Sequence, residues 1–526
     1  SYIEYQEATK LHMNWLSSPD DHLDERTAAL YLTALTGMSS TLAESLVSFD
    51  MPALVMASAI LWQLVVILVL RLELRRVRLI FVLCMNLILL TAAGVWRIYD
   101  NSTSLLCNSF PVAVITIIII VINTYLIAGG ALPSVTFSQI LNFEHGQAVL
   151  TLGFSLQLVS LASSSFIEEE HQVWYFVWMT FLLVVCYKLC CDRKKDWILV
   201  LPFLHRVLRK WNQTGDKWAS LPDVGDWLVQ QEHKTYLTLI FCTGLVSVIW
   251  CCSHMSGKHS GTYVRLMERM LYTGAGLCVL CYRCAVGNVH LPFIYPHSRG
   301  VKEVRAFWSV VTLLLAIGLG EALYRRHHSS LKALRHLLRT LTCCWMLLCA
   351  LLHHPHDVIL IAAHVFMSEC VYAHHKYTWW LVTIHTFIAN VIYFYQGNSN
   401  SLASIDIAAG YVGQTEYNPV IVGMLLLTNT YCAPVLSYLL LITKLVNHHK
   451  DDNFSHLQEM LLDAHHCYIL LRLLPVALYV TFLIVLRYHL FVWTVFSPKF
   501  LYEAVNTFII SILVLFTELL VRIVKT

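Results

Sequence analysis

Apolar residues in this chain run in long unbroken blocks, and polar residues are confined to short intervals between them. A block such as "PVAVITIIIIVINTYLIAGGAL" has no polar face of either helical or strand period. It suits a helix in a hydrocarbon core about 30 Å thick, which takes about 20 residues to cross. Read this way, the sequence predicts crossings near 51–70, 79–98, 111–130, 147–165, 173–190, 235–252, 264–286, 306–323, 337–352, 357–373, 378–396, 418–446, 469–491 and 504–523. A shorter apolar run at 197–208, "WILVLPFLHRVL", contains Pro202 and is a conditional fifteenth. Residues 21–48 differ: Tyr31, Leu32, Leu35, Met38, Leu42 and Leu46 share one face at helical spacing, with Asp24, Glu25 and Glu44 elsewhere. That is the pattern of a helix lying on a membrane or other surface.

Composition agrees. Hydrophobic residues make up 57% of the 526 and charged residues 13%, against about 25% charged in soluble domains. The expected fold is an all-α polytopic bundle of about 13–15 transmembrane helices.

Charge orients it. Lys- and Arg-rich loops favour the cytoplasm, so "RLELRRVR" (Arg71, Arg75, Arg76, Arg78) puts Ser1 on the opposite, lumenal face. "DRKK", "YRRHHSSLKALR" and "VRIVKT" all fall in the cytoplasm only if 197–208 also crosses, at the cost of lumenal Arg209, Lys210 and Lys217. Fifteen crossings are therefore expected. The chain starts at Ser1 rather than Met, and we expect a further segment upstream. Residues 1–50 read as a lumenal linker and amphipathic helix, and 51–526 as the membrane domain.

This topology gathers "SSSFIEEEHQ", "WNQTGDKWASLPDVGDW", "LLHHPHD", "YQGNSNSLASID" and "VFSPKFLYE" on the lumenal side. Three of these carry candidate binding chemistry. Glu168, Glu169, Glu170 and His171 form an acidic run that repels itself unless a cation is near: a metal, an ammonium head group or a basic side chain. The plain alternative is an interfacial cap. Trp211, Asn212 and Gln213 open a stretch of flat faces and amides suited to a glycan, or to a folded interfacial loop. Gln396, Asn398 and Asn400 lie among glycines beside long apolar runs, where unwound backbone must line a cavity. N-x-Ser/Thr triplets begin at Asn101 and Asn212. Asn101 lies in a plain loop and is the glycosylation candidate.

Other patterns point to less. "HHPHD" has adjacent histidines that do not share a helix face. Cys278, Cys281 and Cys284 resemble a metal set, yet spread over a third of a helix circumference with no nearby fourth ligand. No nucleophile elbow, P-loop or H-E-x-x-H motif is present. No catalytic and no metal-ligating residue is assigned.

"SSSFIEEEHQVWYF", "RKWNQTGDKW", "QGNSNSLASIDIAAGYVG" and "RYHLFVWTVFSPKFLYEA", in this order, resemble the membrane half of the GPI ethanolamine phosphate transferases. The third stretch is most similar to the form that modifies the second mannose. The resemblance covers nearly the whole chain. It implies an upstream lumenal domain of the alkaline-phosphatase type, using divalent metal (zinc) and a threonine nucleophile to move phosphoethanolamine from phosphatidylethanolamine to a GPI precursor. None of those catalytic residues lies in this chain, so the chain alone is expected to be inactive. The resemblance also implies an endoplasmic reticulum membrane location and a small multi-spanning partner of the PIG-F kind; no nucleic acid is expected as a partner. The competing readings are a lipid transporter or scramblase, which would show internal repeats and ionisable residues at span centres, and a purely structural anchor.

Overall fold

The computed structural model describes residues 61, 62, 65 and 147–526, apart from 162, 192–196, 213–222, 256–261, 291–298, 328, 373–377, 401–403, 450–453, 487–491 and 526. The expected crossings at 51–70, 79–98 and 111–130, the 1–50 segment, Asn101 and Gln213 thus lie outside the described residues, save for three positions in the first.

The described residues form helices joined by turns and short irregular segments, with no strand among them. In chain order the helices are α1 (Gln147–Ser160), α2 (Ser164–Glu168), α3 (Glu170–Cys191), α4 (Leu201–Leu208, entered through a 3-10 turn at Trp197–Val200), α5 (Val224–Val229), α6 (Lys234–Met255), α7 (Thr262–Val286), α8 (Val301–Arg326), α9 (Ser330–Leu352), α10 (Val358–Tyr372), α11 (Thr378–Tyr395), α12 (Pro419–Thr430), α13 (Cys432–His448), α14 (Phe454–Val485) and α15 (Ser497–Lys525). Six of them are long and apolar enough to cross a membrane, and α12 with α13 makes a seventh if counted as one bent span.

Each apolar block from 147 onward became helix, with two changes. The block 418–446 is broken at Tyr431, where α12 and α13 meet at 65°. Asn418 starts α12 by accepting from Val420 N (3.1 Å), with Pro419 in the first turn, a strong start signal. The last apolar block before the C-terminal helix begins about fifteen residues earlier than 469, because α14 runs from Phe454 through Pro475. Its ionisable first half reads as loop, yet it is folded against partners: His465 contacts Glu518 (2.5 Å) and Tyr438 Oη (3.1 Å).

The 197–208 stretch is short. Four 3-10 residues and eight α-helical ones reach about 20 Å, less than the hydrocarbon thickness. It nevertheless runs back along α3. Cys186 Sγ meets Ile198 O (3.7 Å) near the end of α3, and Arg209 Nη2 donates to Gln172 Oε1 (2.6 Å) near its start. The chain so returns to the end of the bundle where α3 began.

Lipid supplies no hydrophobic drive between helices, so close approach rests on small residues. A side chain at Gly244 of α6 would meet the backbone of α10 at Ile359 N (2.8 Å), one at Gly318 of α8 would meet Thr340 of α9, and one at Gly153 of α1 would meet Val177 of α3. Burial grades outward accordingly: 83% of the most apolar window of α14 and 72% of that of α9 lie inside, against 28% for α8.

Polar groups collect at two ends. Helix α7 joins them: Glu268, near its start, faces His336 (3.4 Å), and Arg283, near its finish, donates to Leu351 O (2.8 Å) and to His353 O. The Glu268 end also carries Arg325 on Glu321 (2.7 Å) and Arg335 on Val446 O (2.9 Å). The Arg283 end holds the candidate site.

Candidate functional site

Helix α11 sets the frame. It stops because Gly397 takes a left-handed backbone (φ 78), which glycine adopts at little cost. Gln396 N donates to Ile392 O and Gly397 N to Phe394 O, both at 3.1 Å. Asn398 Nδ2 donates to Tyr393 O (3.2 Å). The closed turn aims Asn400 across the end of the bundle, where its Nδ2 donates to Ile167 O (2.9 Å) and to Glu170 Oε2 (2.7 Å).

Glu170, the first residue of α3, is 2% exposed. Its Oε1 accepts from Gln157 Nε2 (2.8 Å) and Trp174 Nε1 (3.0 Å). Its Oε2 accepts from Asn400 and pairs with Lys499 Nζ (2.7 Å). Lys499 is buried as well, and one turn along α15 it pairs with Glu503 Oε1 (2.5 Å). A buried carboxylate survives only when paired and hydrogen-bonded. Glu170 is both, with its charge at a helix N-terminus that favours it. One ammonium between two carboxylates leaves one negative charge in excess. Beside it lies a small open pocket of about 30 Å³ lined by Glu170, Asn400, Tyr431, Lys499, Glu503 and Asn506 among others. Among the described residues no three His, Cys, Asp or Glu side chains converge as a metal site.

The acidic run is divided. Glu168 ends α2 exposed, and Glu169 is the cap between α2 and α3. Glu169 approaches His171 Nε2 (3.8 Å), and the buried His171 ring packs against Tyr175 and Phe394. Of the three carboxylates only Glu170 enters the pocket.

A second polar group adjoins the first. Asn212 Nδ2 donates to Asp357 Oδ1 (2.7 Å) and Tyr395 O (2.8 Å), and its Oδ1 meets His356 Nε2 (3.0 Å). Trp211 Nε1 donates to His356 O (3.2 Å). Gln396 Nε2 meets His353 Nε2 (3.1 Å), and His353 Nδ1 meets Asn429 Oδ1 (2.7 Å) at the end of α12. Residues 396–400 therefore bridge the two groups: Gln396 on the histidine side, Asn400 on the Glu170 side. His353, His356 and Asp357 of "HHPHD" form a buried hydrogen-bonding corner while His354 is exposed, and Cys278, Cys281 and Cys284 are free cysteines on α7.

Sequence reasoning missed Lys499, Glu503, Asn506 and Gln157. Lys499, Glu503 and Asn506 stand at i, i+4 and i+7, one face of a helix, the first two inside a stretch already singled out by resemblance and Asn506 two residues past it. That spacing is the signal that was there to find.

The family model for the GPI ethanolamine phosphate transferase membrane region (PIGO_PIGG) matches residues 110–525. Among curated proteins, the human "GPI ethanolamine phosphate transferase 2, catalytic subunit" is 26% identical over 98% of this chain and 61% of its own length. The "GPI ethanolamine phosphate transferase 2" of Schizosaccharomyces pombe is 25% identical over 66% of this chain and 39% of its own, and that of Yarrowia lipolytica 26% over 66% and 45%. The chain thus spans about three fifths or less of these relatives, and no solved structure matches it. With a match that runs over most of the sequence and takes in every residue of the Glu170 cluster, the chain belongs to the PIGO–PIGG family, the membrane regions of GPI ethanolamine phosphate transferases.

Proposed function

We propose that this chain is the membrane region of a transferase that moves phosphoethanolamine from phosphatidylethanolamine to the second mannose of a GPI precursor. It presents lipid donor and glycolipid acceptor at the polar end of the bundle, on the lumenal face of the endoplasmic reticulum membrane. The catalytic chemistry belongs to an upstream metal-dependent domain, where zinc would activate the nucleophile; this chain's residues bind and orient. A small multi-spanning protein of the PIG-F kind is the partner.

One observation carries this reading: Asn400 bonds Glu170 across 230 residues of sequence at the mouth of a pocket, joining two of the stretches that resemble the transferases. In full-length enzyme, Asn400→Ala frees the 396–400 turn from Glu170, and transfer should fall about tenfold or more, the worth of one charge-assisted hydrogen bond. Rates are measured with donor and acceptor varied separately. Wild-type kinetics for both substrates would reject the reading. This chain alone should transfer nothing.

The broken α12–α13 helix favours a second reading, a lipid scramblase, because discontinuous helices line substrate paths in transporters. Fluorescent-lipid flipping in vesicles that hold the purified chain separates the two: flipping supports the scramblase, and vesicles no leakier than protein-free ones dismiss it.

A further inference from the structure

Among the described residues, the pocket beside α15 holds one buried acceptor that no donor reaches and a carboxylate with a single cation partner. A carboxylate offers about four lone-pair directions, and Glu170 spends them on Gln157, Trp174, Asn400 and Lys499. Glu170 is saturated by its own chain. Glu503 is not: one oxygen takes Lys499, and its side chain keeps 15% exposure. Three residues further along α15, Asn506 is 8% exposed, and its Oδ1 is buried with no hydrogen-bond partner. An orphaned buried carbonyl is costly unless a ligand completes it. Both side chains line the pocket, as do Tyr393, Tyr431 and Tyr502. The cluster's excess charge is negative.

We infer that Glu503 and Asn506 form a subsite for a protonated primary amine, the ammonium of an ethanolamine lipid headgroup; this rests on the donor reading above. Such an ammonium brings three N–H donors. It needs no displacement of Lys499, and it sits against aromatic rings that favour cations. The site moves the amine away from the acidic run, whose one buried member is already committed. A quaternary choline ammonium has no N–H to give either acceptor. Tyrosine rings alone would welcome choline equally or better, so methylation of the amine separates a carboxylate–amide site from an aromatic cage.

The test uses the full-length protein in detergent and titrates dihexanoyl-phosphatidylethanolamine, its choline counterpart and soluble phosphoethanolamine by calorimetry. The ethanolamine lipid should bind about tenfold or more tightly than the choline lipid. Glu503→Gln and Asn506→Leu should each bring that ratio toward one by weakening the ethanolamine lipid alone, while Glu503→Asp keeps the preference. Thermal midpoints check folding, and if Glu503→Gln does not fold, the wild-type ratio and Asn506→Leu decide. Equal or choline-favoured binding overturns the site, as does a preference that survives Asn506→Leu. Phosphoethanolamine binding more tightly than the lipid overturns its assignment to a lipid headgroup. Transfer assays keep the two readings apart. A selective site whose loss leaves transfer unchanged defeats the donor reading and spares the subsite. Absent selectivity with an impaired Asn400→Ala enzyme does the reverse.

Discussion

Glu170 answers to four donors at once, so replacing it changes more than one contact. Glu170→Ala takes the carboxylate from Gln157 and Trp174 in a buried place and leaves Asn400 with Ile167 O and Lys499 with Glu503 alone, and breaking a buried pair from one side costs about 3–5 kcal/mol. Lys499→Met should cost a similar amount, because it leaves two carboxylates facing each other. The double variant should fall well short of the sum, since the carboxylate repulsion that Lys499→Met exposes is gone once Glu170 is also removed. Thermal unfolding of the four proteins in one detergent measures this, and additive losses would show that the pair is not coupled. The acidic run drew notice in the sequence because adjacent carboxylates repel. That signal was sound for Glu170. It could not rank the three acids, because the boundary between α2 and α3 falls among them and sends each in a different direction. Nor could it name the cation. A lone Lys499 beside a proline reads as an interfacial lysine, and only the tertiary fold brings it across 329 residues to Glu170.

At the scale of elements, glycine contacts decide how near two helices come. Gly244→Val pushes a branched side chain into the backbone of α10, an atom that cannot rotate away, so the expected loss is about 1–3 kcal/mol or more. Gly320 and Gly274 have nothing within 4 Å of a would-be side chain, so Ala there should be neutral or gain up to about 1 kcal/mol in helix propensity. Parallel thermal-shift series compare them, and an unaffected Gly244→Val would mean that α6 and α10 do not pack this closely. Element existence was legible from the apolar blocks. The break at Tyr431 was not, because 418–446 carries no internal Gly–Pro breaker that separates it from Pro419, Gly423 and Pro434, all compatible with one span. The helical start of α14 was hidden by Glu459, Asp463 and three histidines, of which His465 finds its partners on α13 and α15.

For the whole molecule, the sorting of loops by charge placed five polar stretches on one side, and their contacts in the structure fall at one end of the bundle. Cysteine accessibility tests the sidedness. Gly225 cannot serve as a probe site: a side chain there would stand 2.6 Å from Asn212 Oδ1 and 2.8 Å from His356 Nε2. Val229 (57% exposed) and Tyr324 (65% exposed) stand at opposite ends and can. In sealed microsomes with other reactive thiols removed, Tyr324→Cys should label with an impermeant maleimide from outside, and Val229→Cys only after permeabilisation. The reverse pattern, Val229→Cys labelling from outside and Tyr324→Cys only after permeabilisation, would refute the crossing at 197–208.

Two near neighbours in the chain, Gln157 and Trp174, and two distant stretches, carrying Asn400 and Lys499, end on the two oxygens of one side chain. A knot of that kind removes independent motion. Local opening of any one stretch would have to break a bond at Glu170 and leave the rest short of a partner. The amides around 157–174, 393–400 and 499–506 should therefore exchange with deuterium as one unit, at a common slow rate, and lose protection together. A ligand entering beside Glu503 would meet a wall already stiff and would pay little to order it, so its arrival should slow that exchange without redrawing which amides move in concert.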